Sequence, residues 1–529
     1  MLFNSHEFIL IFLPLAVGGF IFLGKTSKGL ALEWLIAVSI LFYAWWRPFN
    51  LLIIGPSIIV NYALARVLLR VAHEECRQHF ATCVLALGIL FNVALLFYFK
   101  YANFSVTIAN DLAGTNFVLH QIVLPLGISF ITFQKIAFLI DVAGQRVKSF
   151  TLREFMLFVL FFPQLIAGPI VHFKEMVPQF HRLSCRFNAT MCAAAITLFC
   201  FGLFKKVVLA DGVAEYTSPV YSFATSAGKV TLLQSWLAAI GFTLQMYFDF
   251  SGYCDMACGS ALFFGVRLPL NFDSPLKASG IIDFWLRWHV TLTRFLTAYV
   301  YNPTALALSR YRASKGLPIL RSRGSGVGAF LLVLAGPILL TMLLSGVWHG
   351  AGYTFILWGL LHGLYLILNH AWRQYRPRFG STLIFETYIG FALTFLGVLC
   401  AMVLFRSPDL GTAVVMFKGM LGAQGVGLPR NIHEALSMPM TTGFERTGEV
   451  LTHSPAFASA YCIALLTIAL LLPNSLQIMS KYEPALNIPT RASLVYWRPT
   501  FLWMVFTASL TVVAVMRMTG QSEFLYWQF

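Results

Sequence analysis

A polytopic, all-α membrane protein is the fold class this sequence predicts, and three observations carry the prediction. Of 529 residues, 58% are hydrophobic and only 11% charged, too little charge to cover a soluble domain of that length. Apolar runs long enough to cross a bilayer recur from one end of the chain to the other, roughly ten to twelve of them at ~20 residues per helix. These runs do not alternate polar and apolar residues as barrel strands do, so the spanning element is the helix. The formal charge of +16 does not mark a nucleic-acid binder. The cations gather at the ends of apolar runs, where cytoplasmic loops collect Lys and Arg, and form no basic face. Nine cysteines make no CxxC pair and no zinc spacing, so no metal site is expected. Cys254 and Cys258, one helical turn apart, read as small buried residues.

The elements follow in order. Residues 8–23 form the first run; without a basic n-region or a clear cleavage site it reads as a span rather than a cleavable signal. Spans at 32–46, 51–71, 81–99 and 122–142 come next. An outside N-terminus places Lys25 and Lys28, the Arg66–Arg77 group, and Arg146, Lys148 and Arg153 all on the cytoplasmic side, so that orientation is expected. In the fifth run Pro125 and Gly127 should break the helix early. Lys135 and Asp141, six residues apart and on different faces, should anchor helix ends near the interface. The run FMLFVLFFPQLIAGPIV, with Pro163, Gly168 and Pro169, predicts a bent or re-entrant segment whose IAGP stretch is a cavity-wall candidate. Residues 190–210, with Lys205 and Lys206 in an apolar context, predict an interfacial helix with snorkelling lysines. The span at 232–248 runs into MYFDFSGYCDMACG, where Asp249 and Asp255 are expected to cap a helix break, a polar site being the alternative. Later spans fall at 327–347, 355–368, 387–405, 456–472 and 501–517, and 418–455 is a polar loop with short helices.

The segment 283–363 holds the chemistry. It opens with IDFWLRWHVTLTRF, in which Asp283, Arg287 and Arg294 form one polar stripe and Trp285, Trp288, His289, Leu292 and Leu296 another face of a single helix. Arg287 can pair with Asp283 one turn earlier. The loop 309–323 carries Arg310, Arg312, Lys315, Arg321 and Arg323 with no acid, and is expected to be cytoplasmic. The next apolar run ends in SGVWHGAGY, which delivers Trp348 and His349 between Gly346 and Gly350. The glycines leave room for a substrate or a neighbouring backbone. An imidazole at membrane depth is costly, which makes His289 and His349 functional candidates. His362 reads as packing. P-loop, GxSxG and GxGxxG contexts are missing, so phosphoryl transfer, soluble-type hydrolysis and dinucleotide chemistry lack support. A desolvated, neutral imidazole can act as a general base, and that suits acyl transfer. A transporter or flippase with a proton relay is the competing reading.

Several strings then carry a resemblance. NFDSPLKASGIIDFWLRWHVTL, with DFSGYCDMA before it and SGVWHGAGYTFILWGLLHG after it, resembles the membrane-bound O-acyltransferase (MBOAT) family. It is most similar to the bacterial branch containing alginate O-acetyltransferase and the D-alanyl transfer protein of teichoic acids. SILFYAWW, YFKYANF, LPLGISF, the IAGP run and PNS match in the same order, over nearly the whole chain. The usual FWRRWH reads FWLRWH, with Leu286 replacing a cation. The resemblance implies a single membrane domain over 1–529, with re-entrant and interfacial helices around a central tunnel. It implies His349 as the catalytic histidine and His289 as the second motif histidine across that tunnel. Trp348 and Trp288 would be channel walls, and Asp283, Arg287 and Arg294 a supporting polar face. No tightly bound cofactor is implied; acetyl-CoA or another acyl donor is a co-substrate on the cytoplasmic side. The implied setting is the bacterial inner membrane with a periplasmic N-terminus, an SGNH-type periplasmic transferase as partner, and a polysaccharide as final acceptor. Transfer of D-alanyl or another acyl group from a carrier protein is the alternative within the class.

Overall fold

The structure, a computed structural model, describes residues 1–71, 77–120, 122–319, 326–375, 383–427, 455–489, 493–518 and 525. Among these residues the secondary structure is helical, with only an isolated bridge between Pro269 and Leu486. Seven of the described helices are long and apolar enough to cross a membrane: Phe8–Thr26, Pro48–Val71, Gln78–Ala113, Ala189–Ala227, Val327–His349, Tyr353–Tyr375 and Glu386–Arg406. Leu410–Met420, Ala456–Leu471 and Phe501–Arg517 are shorter apolar helices. Large side chains face outward along them, among them Phe22 at 70%, Leu393 at 65% and Phe501 at 76% exposure. Apolar surface on that scale is stable only against lipid. The chain is a multi-pass membrane protein.

Two compact units make up the chain: residues 1–204, 252–270 and 475–527, and residues 205–251, 271–474 and 528–529. In the first, a core of phenylalanines is knitted by Phe8, Phe12, Phe42 and Phe162, with ring centroids 5.2–6.1 Å apart. The bent segment lies in this unit. Leu152–Leu160 ends where Phe161 leaves helical geometry, and Phe162–Leu165 is a single turn. Ser39 Oγ accepts from the Phe162 amide at 3.1 Å, and Gln164 donates to the Phe158 carbonyl at 2.7 Å. Backbone groups freed by the bend are thereby satisfied inside protein. Ile166, Ala167 and Ile170 are buried, and a Cβ on Gly127 would lie 2.9 Å from the Leu165 carbonyl oxygen. The IAGP stretch is thus packed in protein. Gly127 itself takes a left-handed φ of 67° and starts Ile128–Ala143, as its break signal predicts.

Charges inside the apolar runs are where the expectations fail. Lys135 is buried and donates to Ser57 Oγ rather than anchoring a helix end. Asp141, in contrast, does anchor a helix end: it lies in the last turn of Ile128–Ala143 and pairs at 3.1 Å with Arg146 just beyond it. Asp255 is mid-helix in Leu232–Leu262, where Ser475 donates to it at 2.5 Å, so it caps no break. In the second unit Lys206 does not snorkel. Its ammonium lies 2.8 Å from both Asp211 and Asp249, with Lys206 and Asp249 almost wholly buried. The lysine is inward because its counter-charges are inward, and Asp249 belongs to a polar site rather than a cap. Removing one member of such a cluster leaves an uncompensated charge. We expect Lys206→Met to lower stability by about 3–5 kcal/mol, read from thermal unfolding of the solubilised protein; an unchanged midpoint would refute the coupling.

Two further expectations change. The helix Gln78–Leu96 continues through Ala113, well past residue 99. The basic loop begins as helix, Asn302–Ser314, with Arg310 and Arg312 on it and Arg312 donating to the Pro318 carbonyl at 2.9 Å. Arg321, Arg323 and most of the 418–455 loop lie outside the described residues.

Candidate active site

His289 sits at a corner, not within a helix. Ile281–Trp285 and Val290–Leu296 are separate short helices, and between them His289 adopts φ 43° and ψ 51°. A left-handed backbone costs a non-glycine residue on the order of 1–3 kcal/mol and persists only when its surroundings enforce it. Asn271 supplies that enforcement. Its carbonyl accepts from the Val290 amide at 3.0 Å. Its side-chain Oδ1 accepts from the Thr291 amide at 3.2 Å and the Thr291 hydroxyl at 2.8 Å, and lies 3.0 Å from His289 Nδ1.

This network assigns the tautomer. A backbone amide can only donate, so the Asn271 atom it meets is the acceptor oxygen. His289 Nδ1 must then carry the proton, and Nε2 carries the lone pair. Burial pushes the pKa of His289 down to about 3, so the ring is neutral at physiological pH. Phe250 meets the imidazole edge-on at 4.8 Å. Asn271 opens the string NFDSPLKASGIIDFWLRWHVTL that carries the resemblance, but nothing local singles it out as the partner of a histidine eighteen positions on.

His349 is the last residue of Gly336–His349 and is 4% exposed. Its ring lies 6.4 Å from that of His289, 5.0 Å from Trp348, 5.0 Å from Trp358 and 5.3 Å from Phe405, centroid to centroid. The flanking glycines make room for protein. A Cβ on Gly346 would fall 2.3 Å from the Phe355 carbonyl oxygen and 3.1 Å from Gly359 Cα, and one on Gly350 would meet the Phe355 ring at 2.2 Å. Bare backbone at Gly346 and Gly359 therefore lets Gly336–His349 and Tyr353–Tyr375 touch main chain to main chain.

The other predicted residues are distributed around this pair. Trp348 reaches both histidines, at 6.1 Å from His289. Trp288 packs against Phe272 at 5.1 Å and Phe284 at 5.6 Å. Asp283 and Arg287 pair at 2.8 Å, and the Arg287 carbonyl accepts from the Asp273 amide at 3.0 Å, which ties the corner to the 271–274 segment. Because the helix is broken at His289, Arg294 belongs to the second helix and shares no stripe with Asp283 and Arg287. His362 is fully buried, with rings of Trp285 at 5.1 Å and Trp358 at 4.7 Å around it. No cluster of three metal-ligating residues occurs among the described residues.

The sequence is similar to those of known proteins over its whole length. Residues 118–317 match the model of the membrane-bound O-acyltransferase family. Over its whole length the chain is 34% identical to 98% of a peptidoglycan O-acetyltransferase from Helicobacter pylori. The chain belongs to the MBOAT family. As an MBOAT protein it is a membrane acyltransferase. It is also similar to a probable alginate O-acetylase AlgI from Pseudomonas aeruginosa, 36% identical over 79% of this chain and 75% of that one. A teichoic acid D-alanyltransferase from Streptococcus thermophilus is 29% identical over 47% of this chain and 57% of its own length. In this MBOAT chain the family match covers His289, Asn271 and the Asp283–Arg287 pair, while His349 lies beyond it.

Proposed function

We propose that this protein takes an acetyl group from acetyl-CoA on the cytoplasmic side and passes it through the membrane for O-acetylation of an exported or cell-surface polysaccharide. The observation that carries the reading is the pair of buried imidazoles, 6.4 Å apart, one of them fixed as a neutral tautomer by Asn271. That separation suits one hydroxyl held by both rings.

In this reading His349 removes the proton as the acceptor oxygen bonds to the acyl carbon. The carbon–sulfur bond breaks, and the proton passes on to the departing thiolate. His289 orients the hydroxyl through its lone-pair nitrogen. Trp348 walls the site, Trp288 backs the corner, and the Asp283–Arg287 pair with Arg294 supports it. No cofactor is held; acetyl-CoA is consumed. The names of the similar proteins, an O-acetyltransferase of peptidoglycan and an O-acetylase of alginate, favour an acetyl group and a glycan. The setting is a bacterial inner membrane with the N-terminus periplasmic, and an SGNH-type transferase completes delivery.

Membrane vesicles supplied with [14C]acetyl-CoA test this. Label appearing covalently on a glycan or on a co-expressed SGNH-type partner is the expected result. Transport of an unmodified solute without label transfer would favour a transporter, and dependence on an acyl-charged carrier protein would exclude acetyl-CoA as the direct donor.

A further inference from the structure

Arg406, the last residue of Leu383–Arg406, is a cation that pairs with no carboxylate among the described residues. Its guanidinium carbon stands 5.3 Å from the Tyr221 ring centroid and 5.8 Å from that of Phe242, and those two rings meet nearly edge to face at 6.0 Å. The guanidinium thus sits in an aromatic corner. Its Nε is buried with no hydrogen-bond partner, and so is the hydroxyl of Tyr221, a residue only 1% exposed. The nearest acid in sequence, Asp409, is turned away: its carboxylate accepts from the Thr412 amide at 2.8 Å and the Thr412 hydroxyl at 3.0 Å. Among the described residues, no carboxylate pairs with Arg406.

A helix C-terminus favours a cation, but that attraction is modest and is satisfied by any solvated lysine or arginine. Two ring faces offset part of the cost of desolvating a guanidinium and provide no acceptor for its N–H groups. What completes the corner is a pair of oxyanion oxygens. The planar fork of arginine matches them two at a time, and the Tyr221 O–H is a second unpartnered donor on the ring beneath the guanidinium. The position is pointed as well. Phe405, the preceding residue, packs against His349 at 5.3 Å and Trp358 at 5.5 Å.

We propose that Arg406 and Tyr221 form an oxyanion-binding site, for a phosphate or carboxylate group of a substrate, next in sequence to Phe405, which packs on His349. The inference rests on the transferase reading only for which substrate brings the anion; the binding itself is measurable without turnover.

The test uses the full-length protein in detergent at constant ionic strength, following its thermal midpoint while coenzyme A, inorganic pyrophosphate or D-glucuronate is titrated against chloride. Wild type should show saturable stabilisation by at least one of these. A response to coenzyme A and pyrophosphate identifies the donor's phosphates as the source, and a response to glucuronate alone identifies a carboxylate on the acceptor side. Arg406→Gln should weaken binding roughly 10- to 100-fold, as loss of a charged hydrogen-bonding group does. Arg406→Lys should fall between, a point charge without the fork. Should Arg406→Gln fail to fold, Tyr221→Phe keeps the ring, removes the O–H, and should weaken binding several-fold. Stabilisation of equal strength in Arg406→Gln and wild type, or none in wild type with any probe, overturns the proposal.

Discussion

His349→Ala should lower acetyl transfer by about 100- to 10,000-fold, the range that general-base catalysis contributes, while insertion and yield stay close to wild type. The ring is buried among Trp348, Trp358 and Phe405 at the end of a helix, so its removal leaves a cavity as well as a missing imidazole. The substitution His349→Gln separates the two effects. It retains most of the volume and a hydrogen-bonding end, but cannot carry a proton between substrate atoms. Both variants inactive with a near-native thermal midpoint is the expected pattern. Transfer at wild-type rate in either one removes His349 from the chemistry.

The second large effect belongs to Asn271. Asn271→Ala deletes the oxygen that receives Thr291 and His289, freeing the imidazole to adopt either tautomer on a backbone that is strained at φ 43°. A loss of roughly 10- to 100-fold in kcat/KM follows from leaving such buried groups unsatisfied. Asn271→Asp provides the contrast. Its carboxylate accepts the same bonds and adds a negative charge, which favours the imidazolium and raises the pKa of His289 from about 3. In the proposed mechanism the neutral ring is the working form, so the acidic limb of the pH–activity profile should move to higher pH in Asn271→Asp, with activity recovered on the alkaline side. A profile identical to that of Asn271→Ala would mean that Asn271 serves packing alone.

The spans were legible because lipid imposes a uniform demand on them. The runs at 51–71 and 501–517 match helices to the residue, since long apolar windows bounded by cations and turn formers admit little else. The helix break at His289 was not legible. Leu286, Arg287, Trp288 and His289 contain no glycine or proline, and the left-handed turn is imposed by Asn271 from a different segment. Lys206 misled for the same reason. Read locally it belongs at an interface; Asp211, five residues on, supplies one counter-charge, but the fully buried one, Asp249, lies forty-three residues on. Both histidines stood out because an imidazole in such sequence is rare; their proximity is a property of the fold.

The seam at Gly346 and Gly359 has a mechanical result. Side chains that interlock can swing apart by changing rotamer, whereas main chains in direct touch have no such joint to turn. These two helices therefore travel as one rigid bar with His349 on its tip. In the proposed mechanism, a donor reaching His349 therefore displaces the surrounding rings of Trp348, Trp358 and Phe405 rather than parting these two helices.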